Sequence, residues 1–331
     1  MSFPFDAVLL IAFGGPQHRT HIGPFLGNVL RGRRVSRERI EEVAEHYALF
    51  NGISPLTQLT MAQADALGRT LAGRGMPLPV YVGMRNWDPY LKDTLAQMAQ
   101  DGVRRAAGVI ASAHRSYSGC LQYRENVAEA QGTLIDAGLP NVSVTYVNDW
   151  HLSSGFIEAN AEHAIAALDT LPADLRTQTE LVFTAHSIPV SMAERYPYER
   201  QLRESCAAVA DEIARRRPSE RTPWQLVYQS RSGRPEDPWL EPDVCDYLRE
   251  TAGRGTRAVV LSPIGFICDH IEVLYDLDVE AAAVARELGI AFARASSANA
   301  HPRFIDALAD AVTDCVASYR RGRPLPIALP E

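Results

Sequence analysis

The sequence keeps one rhythm nearly from end to end: a short, almost continuous apolar run, a longer amphipathic stretch, then another apolar run. Runs rich in Val, Ile, Leu and Ala fall at 7–13, 78–84, 105–111, 142–147, 180–184, 225–229, 257–261 and 290–294. Helical periodicity occupies 36–49, 57–73, 90–101, 122–137, 155–167, 199–216, 242–251 and 277–288, and a last helix spans about 302–319. A strand that is apolar on both faces has to be covered on both, and strand–helix–strand repeats join parallel neighbours. The rhythm therefore predicts an α/β fold of two similar doubly wound lobes, each with a parallel four-stranded sheet, divided as 1–150 and 151–331. The helix at about 302–319 is free to pack back on the first lobe. Ligands of such sheets bind beyond the carboxyl ends of the strands, which selects the loops worth inspecting.

Charge and composition narrow the function. Thirty-three basic groups face forty acidic ones, a formal net charge of −7, which argues against a nucleic-acid partner. Lys92 is the only lysine. Arginine forks onto carboxylates, but a bias in genome composition accounts for the skew equally well. The first apolar run, Ala7 to Phe13, is far shorter than the roughly 20 residues of a membrane span. Asp6 precedes it and Gly14-Gly15-Pro16 follows, so it does not read as a signal peptide. Five scattered cysteines without a CxxC pair disfavour zinc knuckles and disulfide frameworks, and suit a reducing cytoplasm. No GxGxxG and no GxxxxGK[ST] occurs, so dinucleotide and P-loop chemistry lack their fingerprints.

Several strand ends carry polar chemistry. His186 lies in Thr184-Ala185-His186-Ser187-Ile188-Pro189, on a tight loop after an apolar strand. Taken alone, such a histidine is either hydrogen-bonded at a loop edge, or a proton acceptor or metal ligand. Glu272, Asp276 and Glu280 are spaced i, i+4, i+8, which on a helix makes one acidic stripe. A solvated face explains most such stripes. Here the stripe follows the apolar Ile264 to Cys268 and interleaves with Val273, Leu274 and Leu277, which suits a path for divalent cations and protons. Arg31-Gly32-Arg33-Arg34 is either a solvated run or a carboxylate clamp. Ser54 and Pro55 suit the N-cap and first position of a helix. Tyr123 and Trp239 are core aromatics or walls for a flat ligand.

Taken together these segments resemble the ferrochelatase family, in particular its soluble bacterial members that act on coproporphyrin. The resemblance rests on Leu10 to Pro16, Arg31-Gly32-Arg33, Gly52-Ile53-Ser54-Pro55-Leu56, Thr184 to Pro189, Asp237 to Asp243 and Pro263 to Glu272, in the family's order along nearly the whole chain. It implies a chelatase-like pair of α/β lobes with a porphyrin cleft between them. The implied activity is insertion of ferrous iron into coproporphyrin III, with loss of two pyrrole protons, to give iron-coproporphyrin III in haem biosynthesis.

It places His186 and Glu272 as catalytic and metal-binding residues, and Asp276 and Glu280 as an outer cation row. Phe13, Arg31, Tyr47, Ser54 and Tyr123 match positions that contact the porphyrin. Phe13 replaces a tyrosine that ligates product iron in some relatives, so only stacking is expected of it. Leu30 and His46 stand where some relatives have arginine, leaving Arg33, Arg34 or Arg115 to compensate, and His114 and Arg115 also depart from the commonest loop. No cysteine follows Cys315, so no iron–sulfur cluster is expected, and Fe2+ enters only as substrate. The tail around Arg323-Pro324-Leu325-Pro326 carries no apolar anchor, so a soluble, membrane-free chain is expected; the cysteines suit the cytoplasm, and the resemblance implies the monomer usual for the family's bacterial members. Its partners would be the porphyrin, ferrous iron and, transiently, other haem-pathway enzymes. The rival readings are a protoporphyrin IX ferrochelatase, a cobalt or nickel chelatase, a haem or porphyrin carrier without catalysis, and a nucleotide-dependent α/β enzyme.

Overall fold

A computed structural model describes residues 3–32, 35–218, 222–232 and 236–322. Arg33, Arg34 and the tail at 323–326 lie outside the described residues. The chain forms two compact units, one from Met1–Ala111, Ser118–Asp149 and Ile305–Glu331, the other from Ser112–Tyr117 and Trp150–Phe304. Thus the short segment 112–117 belongs with the second unit, although it precedes residue 150, and most of the last helix belongs with the first.

In the first unit, β1 (Ala7–Ala12), β2 (Val80–Met84), β3 (Arg105–Ile110) and β4 (Ser143–Tyr146) form a parallel sheet in the order β2-β1-β3-β4. β1 is buried along its whole length because it is an inner strand with helices on each face. Its Ala7, Leu9 and Ile11 pack with Leu91, Leu95 and Met98 of α4 (Leu91–Gln100) and with Val127 and Leu134 of α5 (Gln122–Asp136). Four more helices complete this unit. They are α1 (Ile22–Val29), α2 (Arg37–Leu49), α3 (Leu56–Gly73) and the greater part of α12 (Pro302–Arg320). Ser36 caps α2 by accepting from Arg39 N at 3.2 Å. α12 is fixed by Arg74, which reaches Asp310 at 2.6 Å and Asp306 at 2.9 Å.

The second unit repeats the plan. β5 (Thr179–His186), β6 (Trp224–Gln229), β7 (Ala258–Ser262) and β8 (Ala291–Arg294) run parallel in the order β6-β5-β7-β8. Around them lie α6 (Ser154–Thr170), α7 (Val190–Ala193), α8 (Tyr198–Arg216) and α9 (Val244–Gly253). A composite helix follows, made of α10 (Ile271–Val273), a π-helix (Leu274–Ala281) and α11 (Ala282–Glu287). Its inner face, Val273, Leu277, Ala281 and Ala285, joins Val182, Val227 and Leu261 in one core, which fixes the opposite face outward.

The eight predicted strands and nine predicted helices all occur, with two substantive differences. α1 escapes the sequence reading because Gly23, Pro24 and Gly27 resemble turn residues, yet Pro24 sits in the first helical turn, where its missing N–H costs nothing. The predicted helix 277–288 begins six residues earlier and contains the π segment, so the acidic stripe lies largely on π rather than α geometry. Among the described residues no helix is long and apolar enough to cross a membrane. None of the five cysteines forms a disulfide.

Candidate active site

Both sheets direct their polar loops to the carboxyl ends of the strands, where this architecture places ligands. In the second unit the key side chain is His186. It is the last residue of β5 rather than a loop residue, paired in register with Gln229 of β6. Tyr198 Oη donates to its carbonyl at 3.0 Å. Beyond it the chain turns sharply and is pinned by Ser187 N to Gln229 O at 2.8 Å and by Ser187 Oγ to Leu240 O at 2.8 Å. Gly265 packs so closely that a Cβ there would lie 2.5 Å from Ala185 Cβ, so the glycine lets β5 and the following loop come together.

Hydrogen-bond accounting assigns the His186 ring. Its Nδ1 bonds the carbonyl of Ser187, an acceptor only, so Nδ1 carries the hydrogen. In the neutral ring the lone pair then sits on Nε2, and this nitrogen faces Glu272 Oε2 at 3.9 Å. The same carboxylate oxygen lies 3.3 Å from His270 Nε2, and the His270 ring packs on Phe266 at 4.9 Å between centroids. Glu272 is further steadied through its backbone, whose carbonyl accepts from Gln229 Nε2 at 3.1 Å.

Asp276 stands four residues on from Glu272. Ser230 Oγ donates to its Oδ2, and Gln229 Nε2 donates to the same oxygen at 3.2 Å. Burial pushes the Asp276 carboxyl up to about 7; the Ser230 and Gln229 bonds oppose the rise, and the Glu272 and Glu280 carboxylates add to it. Ser230 holds φ +59, a left-handed conformation costly for a residue with a side chain, and the hydroxyl so placed serves Asp276. Glu280 is exposed at the outer end of the row. The other acids of this stretch are structural. Asp278 pairs with Arg294 at 2.6 Å, and Asp269 ties Arg294 at 2.9 Å to Asn299 Nδ2 at 2.8 Å. Glu272, Asp276 and Glu280 therefore form a row, because residues four apart in an i→i+5 helix stop just short of a full turn.

The first unit gathers the aromatic residues. Phe13, directly after β1, meets Phe25 at 6.3 Å, and Phe25 meets Tyr47 at 5.6 Å. Arg85, directly after β2, places its guanidinium 5.7 Å from the Phe13 ring centre and 5.2 Å from that of Tyr123, and donates to Gln122 Oε1 at 2.9 Å. Arg31 is exposed and held by Asn28 Oδ1 at 2.9 Å, while Asn28 reaches Tyr90 Oη at 3.2 Å. Ser54 is buried beside Gly15, where a Cβ would approach the Ser54 Cβ to 2.8 Å. α3 starts at Leu56, so Ser54 lies just outside it, with Oγ accepting from Leu56 N at 3.4 Å. Thr57 locks the Gly14-Gly15 turn by donating to Gly15 O at 3.1 Å. His46 has its pKa lowered by burial and then by Arg39, so it is a poor substitute for a cationic arginine.

The structure thus brings Phe13, Tyr47 and Tyr123 into one aromatic group through Phe25 and Arg85, and sets His186, Glu272 and Asp276 into another group. Sequence reasoning assigned no role to Arg85, Gln229, Ser230 or His270; the strand-end rule applied to β2 and β6 points to the first three. Among the described residues no cluster of three or more His, Cys, Asp or Glu side chains is arranged to hold a metal ion.

Known proteins share the fold and the sequence of this chain. Solved structures of the sirohydrochlorin chelatase SirB from Bacillus subtilis subspecies spizizenii with cobalt (TM-score 0.54, 10% identity, 98% of this chain and 99% of that one) and of SirB from Bacillus subtilis with Fe3+ (TM-score 0.56, 9% identity, 98% and 99%) share the fold. A coproporphyrin III ferrochelatase of Streptomyces coelicolor is 45% identical over 98% of this chain and 89% of its own length. One of Mycolicibacterium vanbaalenii is 47% identical over 96% and 91%, and a ferrochelatase of Rhodopirellula baltica is 46% identical over 94% and 86%. The sequence model of the Ferrochelatase family matches residues 5–315, and the chain belongs to that family.

Proposed function

We propose that this chain inserts ferrous iron into coproporphyrin III, giving iron-coproporphyrin III and two protons. The observation that carries the mechanism is the His186–Glu272 pair. A histidine whose Nδ1–H is committed to the Ser187 carbonyl presents Nε2 as a proton acceptor, 3.9 Å from a carboxylate at the head of an acidic row.

Metallation replaces two pyrrole N–H hydrogens by one divalent cation, so the site must take protons and supply a cation. On this reading His186 Nε2 accepts a pyrrole proton, and Glu272 meets the arriving Fe2+. Asp276, whose carboxyl is raised to about 7, alternates between acid and anion near neutral pH and passes protons or cations along the row toward exposed Glu280. Half-buried Phe13 offers flat apolar surface to the ring, backed by the buried Tyr47 and Tyr123; exposed Arg31 serves its propionates, and buried Ser54 packs on the Gly14-Gly15 turn that follows Phe13. Phe13 has no oxygen and gives no axial ligand.

The named substrates of the relatives support coproporphyrin III over protoporphyrin IX. Five cysteines without a disulfide fit a reducing cytoplasm. The decisive experiment mixes purified protein anaerobically with Fe2+ and either porphyrin and follows the porphyrin spectrum. Faster metallation of coproporphyrin III is expected. Faster turnover of protoporphyrin IX overturns the substrate assignment, and failure with both leaves a carrier as the better reading.

A further inference from the structure

A second pair of histidines, His114 and His151, lies in the second unit. His114 is 2% exposed, and its Nε2 lies 3.0 Å from Ser205 Oγ on α8. The Ser205 hydroxyl has one hydrogen and donates it to the His151 carbonyl at 2.9 Å. His114 must therefore be the donor, with its hydrogen on Nε2 and a bare lone pair on Nδ1. That Nδ1 is buried and has no hydrogen-bond partner among the described residues. His151 shows the same pattern. Its Nε2 bonds Glu204 Oε2 at 2.8 Å, and its Nδ1 is buried without a partner among the described residues. The two rings stand 6.3 Å apart between centroids.

A buried acceptor left unpaired is costly, and here two belong to adjacent rings. The group that satisfies both is small and donates twice. We propose that one buried water molecule bridges His114 Nδ1 and His151 Nδ1. It closes a hydrogen-bonded chain from Ser205 through His114, the water and His151 to the partly exposed Glu204. A metal ion fits less well, because no cluster of three or more ligating side chains is arranged for one among the described residues. Burial, followed by the neighbouring His151, holds His114 neutral by lowering its pKa to about 3, which agrees with a ring that only receives at Nδ1.

The water has a structural task. The 112–117 segment is tied to α8 through His114 to Ser205 and through Arg115 N to Gln201 Oε1 at 2.8 Å. The same helix begins at Tyr198, which holds the His186 carbonyl. The bridge secures that segment on the helix that also steadies β5, and it stands whatever the substrate proves to be.

The test uses the full chain. A crystal structure that resolves solvent should show a water-sized peak within hydrogen-bond distance of both Nδ1 atoms, with no anomalous signal. Long-range proton–nitrogen NMR of 15N-histidine protein should show His114 as the Nε2–H tautomer, unchanged across the range where an ordinary histidine titrates. Ser205→Ala should lower the thermal midpoint by roughly 2–4 °C, the usual effect of losing one buried hydrogen bond in a unit of this size, and weaken the single-tautomer signature. An Nδ1–H tautomer, an anomalous peak, or the absence of density between the rings each overturns the proposal.

Discussion

Replacing Asp276 with asparagine tests the electrostatic account of the acidic row. The folded carboxyl titrates at about 7 against an ordinary value of 3.8. A carboxyl raised in the folded state binds its proton more tightly there than in the unfolded chain. Its contribution to stability therefore falls as pH climbs from about 4 toward about 7, and is level above that. The gap is about 3 pH units at 1.36 kcal/mol each, a penalty of about 4 kcal/mol above pH 7 that is absent near pH 4. Asparagine has nearly the same shape, its amide oxygen still accepts from Ser230 and Gln229, and it carries no charge at any pH. The thermal midpoint of Asp276→Asn minus that of the parent chain should thus be near zero around pH 4 and rise to roughly 10 °C at pH 8, at about 2–4 °C per kcal/mol. Scanning calorimetry across this range supplies the measurement. A difference that stays constant with pH would show that burial does not raise this carboxyl and would remove the physical basis for its relay role. Iron insertion should move the opposite way, slowing in the more stable variant, because a site held for a passing cation and proton is stabilised when its charge is deleted.

Other consequences can be checked separately. His186→Ala should reduce iron insertion by at least two orders of magnitude while coproporphyrin binding, followed by fluorescence quenching, changes little; near-parental turnover would remove the proton-acceptor assignment. Arg85→Ala deletes a cation seated over both Phe13 and Tyr123, worth about 0.5–1 kcal/mol per exposed ring contact, so porphyrin affinity should fall roughly 3–10-fold with turnover at saturation largely kept. Leu10→Ala, at a fully buried position of β1, should cost about 2–5 kcal/mol in denaturant unfolding and leave the KM of the surviving folded protein unchanged.

The fold was legible because its signal is global. Each inner strand must be apolar on both faces, and Ala7 to Ala12 meets that demand at every position. The candidate site was legible where it coincides with a strand end, as at Phe13 and His186. Three features were not. The π segment cannot be read from spacing, since Glu272, Asp276 and Glu280 fall on one side of an α-helix as well as of an i→i+5 helix; backbone bonding decides, and no side chain announces it. α1 was obscured by its Gly and Pro, although the burial of Ile22, Phe25 and Leu26 settles its structure. Arg85 looked like an ordinary turn residue in Met84-Arg85-Asn86-Trp87, and only its seat between two rings marks it. His46 is the reverse case: its identity was visible, but its depressed pKa depends on burial and on Arg39, which spacing does not supply.

The division of charge between the units has a physical logic. A tetra-anionic ring and a dication make opposite demands, and mixing the two sets of side chains would let them neutralise one another. In the first unit Arg85 donates to Gln122 and Arg31 to Asn28. In the second unit Arg294 is bound to Asp278 and Asp269. The alternation along the helix makes this possible: Asp278 takes the arginine on one side, while Glu272, Asp276 and Glu280 line another. The row then grades from exposed Glu280, through an Asp276 that titrates at about 7, to Glu272 facing His186. On the proposed function, a cation entering along it would exchange water for carboxylate in steps, and a proton leaving would meet an acceptor close to ambient pH. A uniformly exposed stripe would bind cations as readily but would offer no such intermediate step.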